Sequence, residues 1–198
     1  MFRTLAALAL AALPLRAAAA EIPLDQISAY LNGLSTASAG FTQRNADGST
    51  STGHLYIHRP GRARFEYDPP NRSLVIAASD AVAIFDPKSN QPPEQYPLAR
   101  TPLNLILARK IDLSRARMVV SHSEVNGNTV VVAEDPDHPE YGTIALVFSP
   151  QPISLRQWVV TDETGGQTTV TLAPLQVGQS LPDSLFDISA EASHRSGR

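Results

Sequence analysis

Residues 53–70 constrain this chain more than any other stretch: Gly-His-Leu-Tyr-Ile-His-Arg-Pro-Gly-Arg-Ala-Arg-Phe-Glu-Tyr-Asp-Pro-Pro. Read at the two-residue period of a strand, Leu55, Ile57 and Arg59 share one face. Beyond the Pro60-Gly61 turn, Ala63, Phe65 and Tyr67 again share a face, with Arg64 and Glu66 on the other. The pattern predicts a β-hairpin whose apolar side carries a single arginine, Arg59, at the end of its first strand. An arginine turned toward apolar surface is costly unless its five donors find acceptors. Two arrangements satisfy that demand. Arg59 snorkels off the strand end into water, or it is held by acceptors on whatever covers the apolar face, as a latch would be.

The first twenty residues read as a secretory signal. Arg3 supplies the basic start, Leu5 to Leu13 the apolar run, and Ala18-Ala19-Ala20 a small-residue cleavage site. The run falls short of the ~20 residues a membrane span needs, and Arg16 follows it closely. Cleavage after Ala20 leaves 178 of the 198 residues. That is one domain, expected over residues 21–189 and long enough to bury a core or enclose a cavity. The tail from Ala190 to Arg198 is small and polar and is expected to be disordered. The chain has no cysteine, so its stability must come from sheet and core rather than disulfides. It also lacks the thiol on which a bacterial lipoprotein is acylated. Without Arg3 and Arg16, 14 basic residues face 19 acidic ones, a net charge of −5. Such a surface, free of basic runs, gives no electrostatic reason to bind nucleic acid or anionic lipid.

Short strands dominate the remainder. A helix is predicted over Leu24–Leu34, where Ile27, Tyr30, Leu31 and Leu34 form an i, i+3, i+4, i+7 stripe. Pro23 and Asp25 suit its first turn and Gly33 its end. Strands are predicted at Phe41–Arg44, Gly53–Arg59, Ala63–Tyr67, Ser73–Ala77 and Val82–Phe85, separated by turn sequences such as Asp68-Pro69-Pro70-Asn71. The Pro-rich stretch from Pro87 to Pro97 interrupts them. Thr101-Pro102 then opens a second helix carrying Leu103, Ile106 and Leu107 and ending near Lys110. Strands resume at Ala116–Glu124 and Thr129–Glu134 around an Asn126-Gly127 hairpin turn, then at Thr143–Phe148, Leu155–Asp162 and Gln167–Leu172. The fold class is mainly β with helices (α+β): some ten antiparallel strands, with two amphipathic helices as the only cover for the sheet's apolar face. If the sheet curves, helices across its mouth leave a space lined by both apolar surfaces. A plain core without a cavity fits the periodicity equally well.

Residues that carry chemistry are scarce. His54 and His58, four apart on one strand face, stand too far apart to chelate one metal, and His122 and His138 have no partner at ligand spacing. The loop Asp135-Pro136-Asp137-His138-Pro139-Glu140 lacks the glycine turn and ordered oxygens of a calcium site. There is no nucleophile elbow, thiol nucleophile or Gly-rich phosphate loop. Trp158, the sole tryptophan, reads as packing.

The order of motifs resembles the LolA family of periplasmic outer-membrane lipoprotein carriers. After the early helix come Gly40-Phe41-Thr42-Gln43, Gly53-x-Leu55 leading to Arg59-Pro60-Gly61, then Phe65-x-Tyr67-x-x-Pro70 and Leu74-Val75-Ile76. Asp86, Tyr96-Pro97-Leu98, Thr101-Pro102-Leu103 and Leu105-Ile106-Leu107 follow. Late in the chain stand Leu155-x-x-Trp158-x-Val160-x-Asp162-x-x-Gly165 and Leu181-Pro182-x-x-Leu185-Phe186. The resemblance runs from about Ile22 to Ile188.

It implies an incomplete antiparallel β-barrel of ten or eleven strands closed by a helical lid, with an acyl-chain cavity between them. Ile27, Leu31, Leu103, Ile106 and Leu107 would line it from the lid, and Leu55, Ile57, Pro60, Phe65 and Tyr67 from the wall. Arg59 would hold the lid by hydrogen bonds. Many members carry a bulky apolar residue four positions after that arginine; this chain has Ala63, and Phe65 is the candidate to take over part of that contact. The resemblance further implies a monomeric, non-enzymatic periplasmic carrier of acylated lipoproteins without a cofactor. It would be loaded by an inner-membrane ABC-type release complex and unloaded by an outer-membrane lipoprotein acceptor. A lipid-sensing regulatory or envelope-binding domain on the same scaffold, or an exported hydrolase, are the competing classes.

Overall fold

The predicted hairpin is present and sets the register of the sheet around it. In the computed structural model, which describes residues 21–89, 91–115 and 117–196, strand β2 (Thr50–His58) pairs antiparallel with β3 (Arg62–Tyr67). Leu55 stands opposite Phe65 and Ile57 opposite Ala63, and all four are buried. Gly61, at φ 73°, supplies the left-handed residue that lets a three-residue turn reverse the chain. The signal segment 1–20 lies outside the described residues, as does Ala116, where one strand was predicted to begin.

The other elements are α1 (Leu24–Gly33), β1 (Thr36–Arg44), β4 (Leu74–Ala78), β5 (Ala81–Phe85), β6 (Glu94–Pro97), α2 (Leu103–Leu107), β7 (Val119–Val125), β8 (Asn128–Glu134), β9 (Thr143–Pro150), β10 (Ile153–Thr161), β11 (Gln167–Leu172), β12 (Gln176–Val177) and α3 (Ile188–Ser196). The strands form one antiparallel sheet in the order β6-β5-β4-β3-β2-β1-β11-β10-β9-β8-β7, with β12 pairing β1 off this path. Two meanders, β1 to β6 and β7 to β11, meet where β1 pairs β11, Phe41 opposite Leu172. Strands β6 and β7, consecutive in the chain, therefore lie at opposite edges, and the connection carrying α2 must cross the sheet between them.

The sheet is strongly curved. Strands β3 and β10 are four positions apart, about 19 Å along a flat sheet, yet the rings of Phe65 and Trp158 lie 6.2 Å apart, edge to face. On the inside of that curve the side chains of β1, β2, β3 and β8 to β11 join those of α1, α2, Ile111 and Leu113 in one apolar cluster. A second, smaller cluster lies elsewhere: Leu74, Ile76, Ala78, Ala83 and Phe85 of β4 and β5 are covered by Phe186, Leu181, Leu185 and Ile188.

Four predictions need correction. Strand β1 begins at Thr36 rather than Phe41, because Ala37 and Ala39 alternate inward without the bulk that marks a strand in sequence. Strand β6 lies inside the Pro-rich stretch, as an exposed edge where proline is tolerated. Helix α2 ends at Leu107, after which the chain runs on without helix and buries Ile111 and Leu113. The tail from Ala190, expected to be disordered, continues helix α3 through Ser196. Arg64 holds that region: it donates to Glu66 at 2.6 Å, to Leu185 O at 3.0 Å and to Glu191 at 3.4 Å.

Candidate functional site

The lid surface comes from one stripe of α1, where Ile27 and Leu31 are 0% and 2% exposed, and from α2, where Ile106 and Leu107 are buried and Leu103 half-buried. They meet the wall residues Leu55, Ile57 and Phe65, with Tyr67 packed at the margin, in a single cluster. Ten of the eleven residues picked out in sequence thus lie at or beside one seam. Pro60 does not: it sits exposed on the hairpin turn, since a turn's outermost residue points away from the sheet it connects. Ala63 is buried beside Ile57. Phe65 packs edge to face with both Phe41 and Trp158.

Tyr67 brings a hydroxyl to the margin of the wall. Its ring packs on Phe41 and its hydroxyl donates to Gln43 Oε1 at 2.7 Å. Burial pushes the phenol up to about 12, against the smaller opposing effect of the Gln43 contact.

Arg59 is drawn in rather than released to water. Its Nη1 donates to Leu31 O, on the last turn of α1. Its Nη2 donates to Ala108 O at 2.5 Å, just beyond α2, with Asn32 Oδ1 at 3.5 Å. Two backbone bonds flank this grip: Arg59 N–H to Ser35 O at 2.8 Å and Gly61 N–H to Leu107 O at 2.9 Å. Burial pulls the guanidinium below the usual arginine value, and Nε is enclosed without a partner. The group nonetheless stays charged at any physiological pH. A single side chain from the wall therefore holds both pieces of the lid.

Two residues of α1 that the sequence reading passed over tie the lid together. Asn32 bonds both backbone groups of Ile111, donating to its carbonyl at 2.7 Å and accepting from its N–H at 3.0 Å. Ser28 Oγ accepts the Leu113 N–H at 2.9 Å. The signal was present: two small polar residues at i and i+4, directly beside the apolar stripe.

Among the described residues no group of three histidine, aspartate or glutamate side chains is placed to hold a metal. The histidines serve locally: His58 packs on Phe186 and His122 contacts Ile22 O at 3.0 Å.

An open, curved antiparallel sheet whose inner face is covered by helices, with one arginine joining cover to wall, is a lidded half-barrel with an apolar interior. The family model for "Outer membrane lipoprotein carrier protein LolA" matches residues 32–189. The chain belongs to that family. It is 26% identical over 183 residues to the outer-membrane lipoprotein carrier protein of Chromohalobacter salexigens, covering 88% of this chain and 86% of that one. With the carrier protein of the same name from Pseudomonas aeruginosa it shares 28% over 173 residues, 82% and 81% of the two chains. Among solved structures, a DUF1329 family protein from Desulfovibrio piger superposes with a TM-score of 0.50 at 10% identity, over 84% of this chain and 95% of that one, a likeness of fold alone.

Proposed function

We propose that the mature chain is a periplasmic carrier that shields the acyl chains of lipoproteins between lid and wall and moves them from the inner to the outer membrane. The observation that carries this reading is the seam itself: two apolar surfaces pressed together and joined across their edge by one arginine bonded to backbone carbonyls. Few bonds cross this edge, so the seam can part without breaking the sheet.

The physics is consistent with that use. Each methylene removed from water contributes ~0.8 kcal/mol, so acyl chains displace lid side chains readily once the lid lifts. Release then needs a competitor. The closed lid supplies it, because Ile27, Leu31, Ile106 and Leu107 reoccupy the wall when cargo leaves. Arg59 and the wall and lid residues named above form the proposed site. An inner-membrane ABC-type complex and an outer-membrane acceptor are the proposed partners, each handling one cargo on one monomer of the carrier.

The test uses the mature protein isolated from its own periplasm. Mass spectrometry should find acylated lipoprotein bound to it, and the purified empty protein should take up a synthetic triacylated cysteinyl peptide without hydrolysing it. Absence of bound acyl chains in both, or ester turnover abolished by one point substitution, would overturn the carrier reading.

A further inference from the structure

Arg59 reaches two separate pieces of the lid at once, Leu31 O on α1 and Ala108 O after α2. One planar guanidinium can serve two carbonyls only if their spacing is held. The covalent chain does not hold it, since these pieces lie at opposite ends of the first meander. Asn32 does. It is 79 residues from Ile111 in sequence, yet it pairs with that residue's N–H and carbonyl together, as a neighbouring strand would. One helical turn earlier Ser28 adds the second rung by accepting from Leu113 N–H, while its own hydroxyl donates to Leu24 O at 2.7 Å. The spacing fits: four residues along a helix advance ~6 Å, and two residues of extended chain advance about 6.6 Å. Helix α1 thus carries two working stripes, an apolar one toward the wall and a polar one toward residues 111–113.

We infer that Asn32 is the positioning residue of the Arg59 latch. By fixing the segment after α2 to the last turn of α1, it presents Leu31 O and Ala108 O as one target, so both pieces of the lid are gripped and released as a single body. This rests on the proposed reading of the helices as a lid. Without Asn32 the two pieces would open independently. Arg59 would then hold only whichever piece happened to be closed, and half-open states would retain cargo.

Because the chain has no cysteine, spin labels can be placed singly in the mature protein. One pair joins α1 to the wall (Gln26→Cys with Thr42→Cys), another joins the far piece to the wall (Lys110→Cys with Thr42→Cys); all three positions are exposed. Titration with a synthetic triacylated cysteinyl peptide should lengthen both distances with one midpoint in the wild type. In Asn32→Leu the midpoints should separate. Transfer of the peptide to acceptor vesicles should fall about tenfold, the same factor as for Arg59→Leu, with no further loss in the double variant. Asn32→Ala, which removes both bonds to Ile111 without adding bulk or charge, guards against a misfit of leucine and should give the same separated midpoints. A shared midpoint in both Asn32 variants, or transfer losses that multiply in the double variant, would overturn the inference alone. Distances that do not move in the wild type would overturn the lid reading and this inference with it.

Discussion

Replacing Arg59 by leucine removes the contact on which the proposed cycle depends, and its size can be worked out. A hydrogen bond from a charged donor contributes ~1.5–3 kcal/mol, and the structure has two good ones, to Leu31 O and Ala108 O. The Asn32 contact at 3.5 Å lies at the limit and adds little. Against these stand the burial that pulls the guanidinium's affinity for its proton down and the enclosed Nε without a partner, the latter worth about 1–3 kcal/mol. Two such bonds less the Nε penalty leave roughly 0–5 kcal/mol with a midpoint of about 2.5 kcal/mol in favour of the closed lid, a bias at that midpoint of about fifty- to a hundredfold in the open–closed balance. Leucine shifts the other side as well: buried against acyl chains it contributes up to about 2 kcal/mol to the loaded state. Both effects favour keeping cargo. Arg59→Leu should therefore load a triacylated peptide as well as the wild type does and transfer it to acceptor vesicles at least about tenfold more slowly. Arg59→Lys should recover part of the rate, since an ammonium reaches one carbonyl but cannot span two. Equal transfer rates for wild type and Arg59→Leu, measured by loss of a fluorescent peptide from the carrier, would refute this account of Arg59.

Three further outcomes follow from packing and charge. A Cβ at Gly53 would lie 2.1 Å from Glu66 O and 2.8 Å from the Phe41 ring, so Gly53→Ala should cost at least about 3 kcal/mol and lower the melting temperature by roughly 10 °C; an unchanged melting curve would count against this packing. Tyr67, raised from 10.0 to about 12 by burial, favours the folded state while neutral. That stability, roughly 2–3 kcal/mol, is present below pH 10 and lost as pH rises toward 12. Tyr67→Phe should flatten that loss in urea titrations, and an unchanged alkaline slope would oppose the reasoning. Burial alone pushes the Glu191 carboxyl up, but the hydrogen bond from Arg195 and the charges of Arg64 and Arg195 outweigh it and hold it below its usual value. Its contribution is therefore full above the ordinary glutamate range and lost as pH falls through the lower folded value. Hydrogen-exchange protection over residues 188–196, corrected for the intrinsic pH dependence of exchange, should fall in the wild type as pH drops below the ordinary glutamate range and show no such fall in Glu191→Gln; protection indifferent to pH in the wild type would contradict this.

The hairpin was legible because bulky residues alternate strictly on both sides of a proline-glycine turn, and parity alone placed Leu55, Ile57, Ala63 and Phe65 on one face. Even Arg59's inward direction followed from parity. What the sequence could not tell was which of two outcomes Arg59 meets, because its acceptors are backbone carbonyls of Leu31 and Ala108, groups that every residue carries and no motif marks. The start of β1 was hidden by alanines, which bury fully but give little hydrophobic contrast. Strand β6 was hidden by its exposure on all four residues. Helix α3 failed to register because its own pattern is weak and its anchor, Arg64, comes from a strand far away in sequence. Local alternation is written locally; docking is not.

The pairing of β1 with β11 also governs how the chain comes to be folded. Hairpins within each meander close short loops and form early, whereas Phe41 must wait for Leu172, near the other end of the chain. Until then the face bearing Leu55, Ile57 and Phe65 has α1 as its nearest cover and no second half to curl against. A half-made sheet thus exposes the hydrocarbon surface that the finished fold buries beneath its helices, and a chain in that state is prone to associate with others like it. Truncations that end after β6, rather than substitutions at the latch, should be the variants that precipitate.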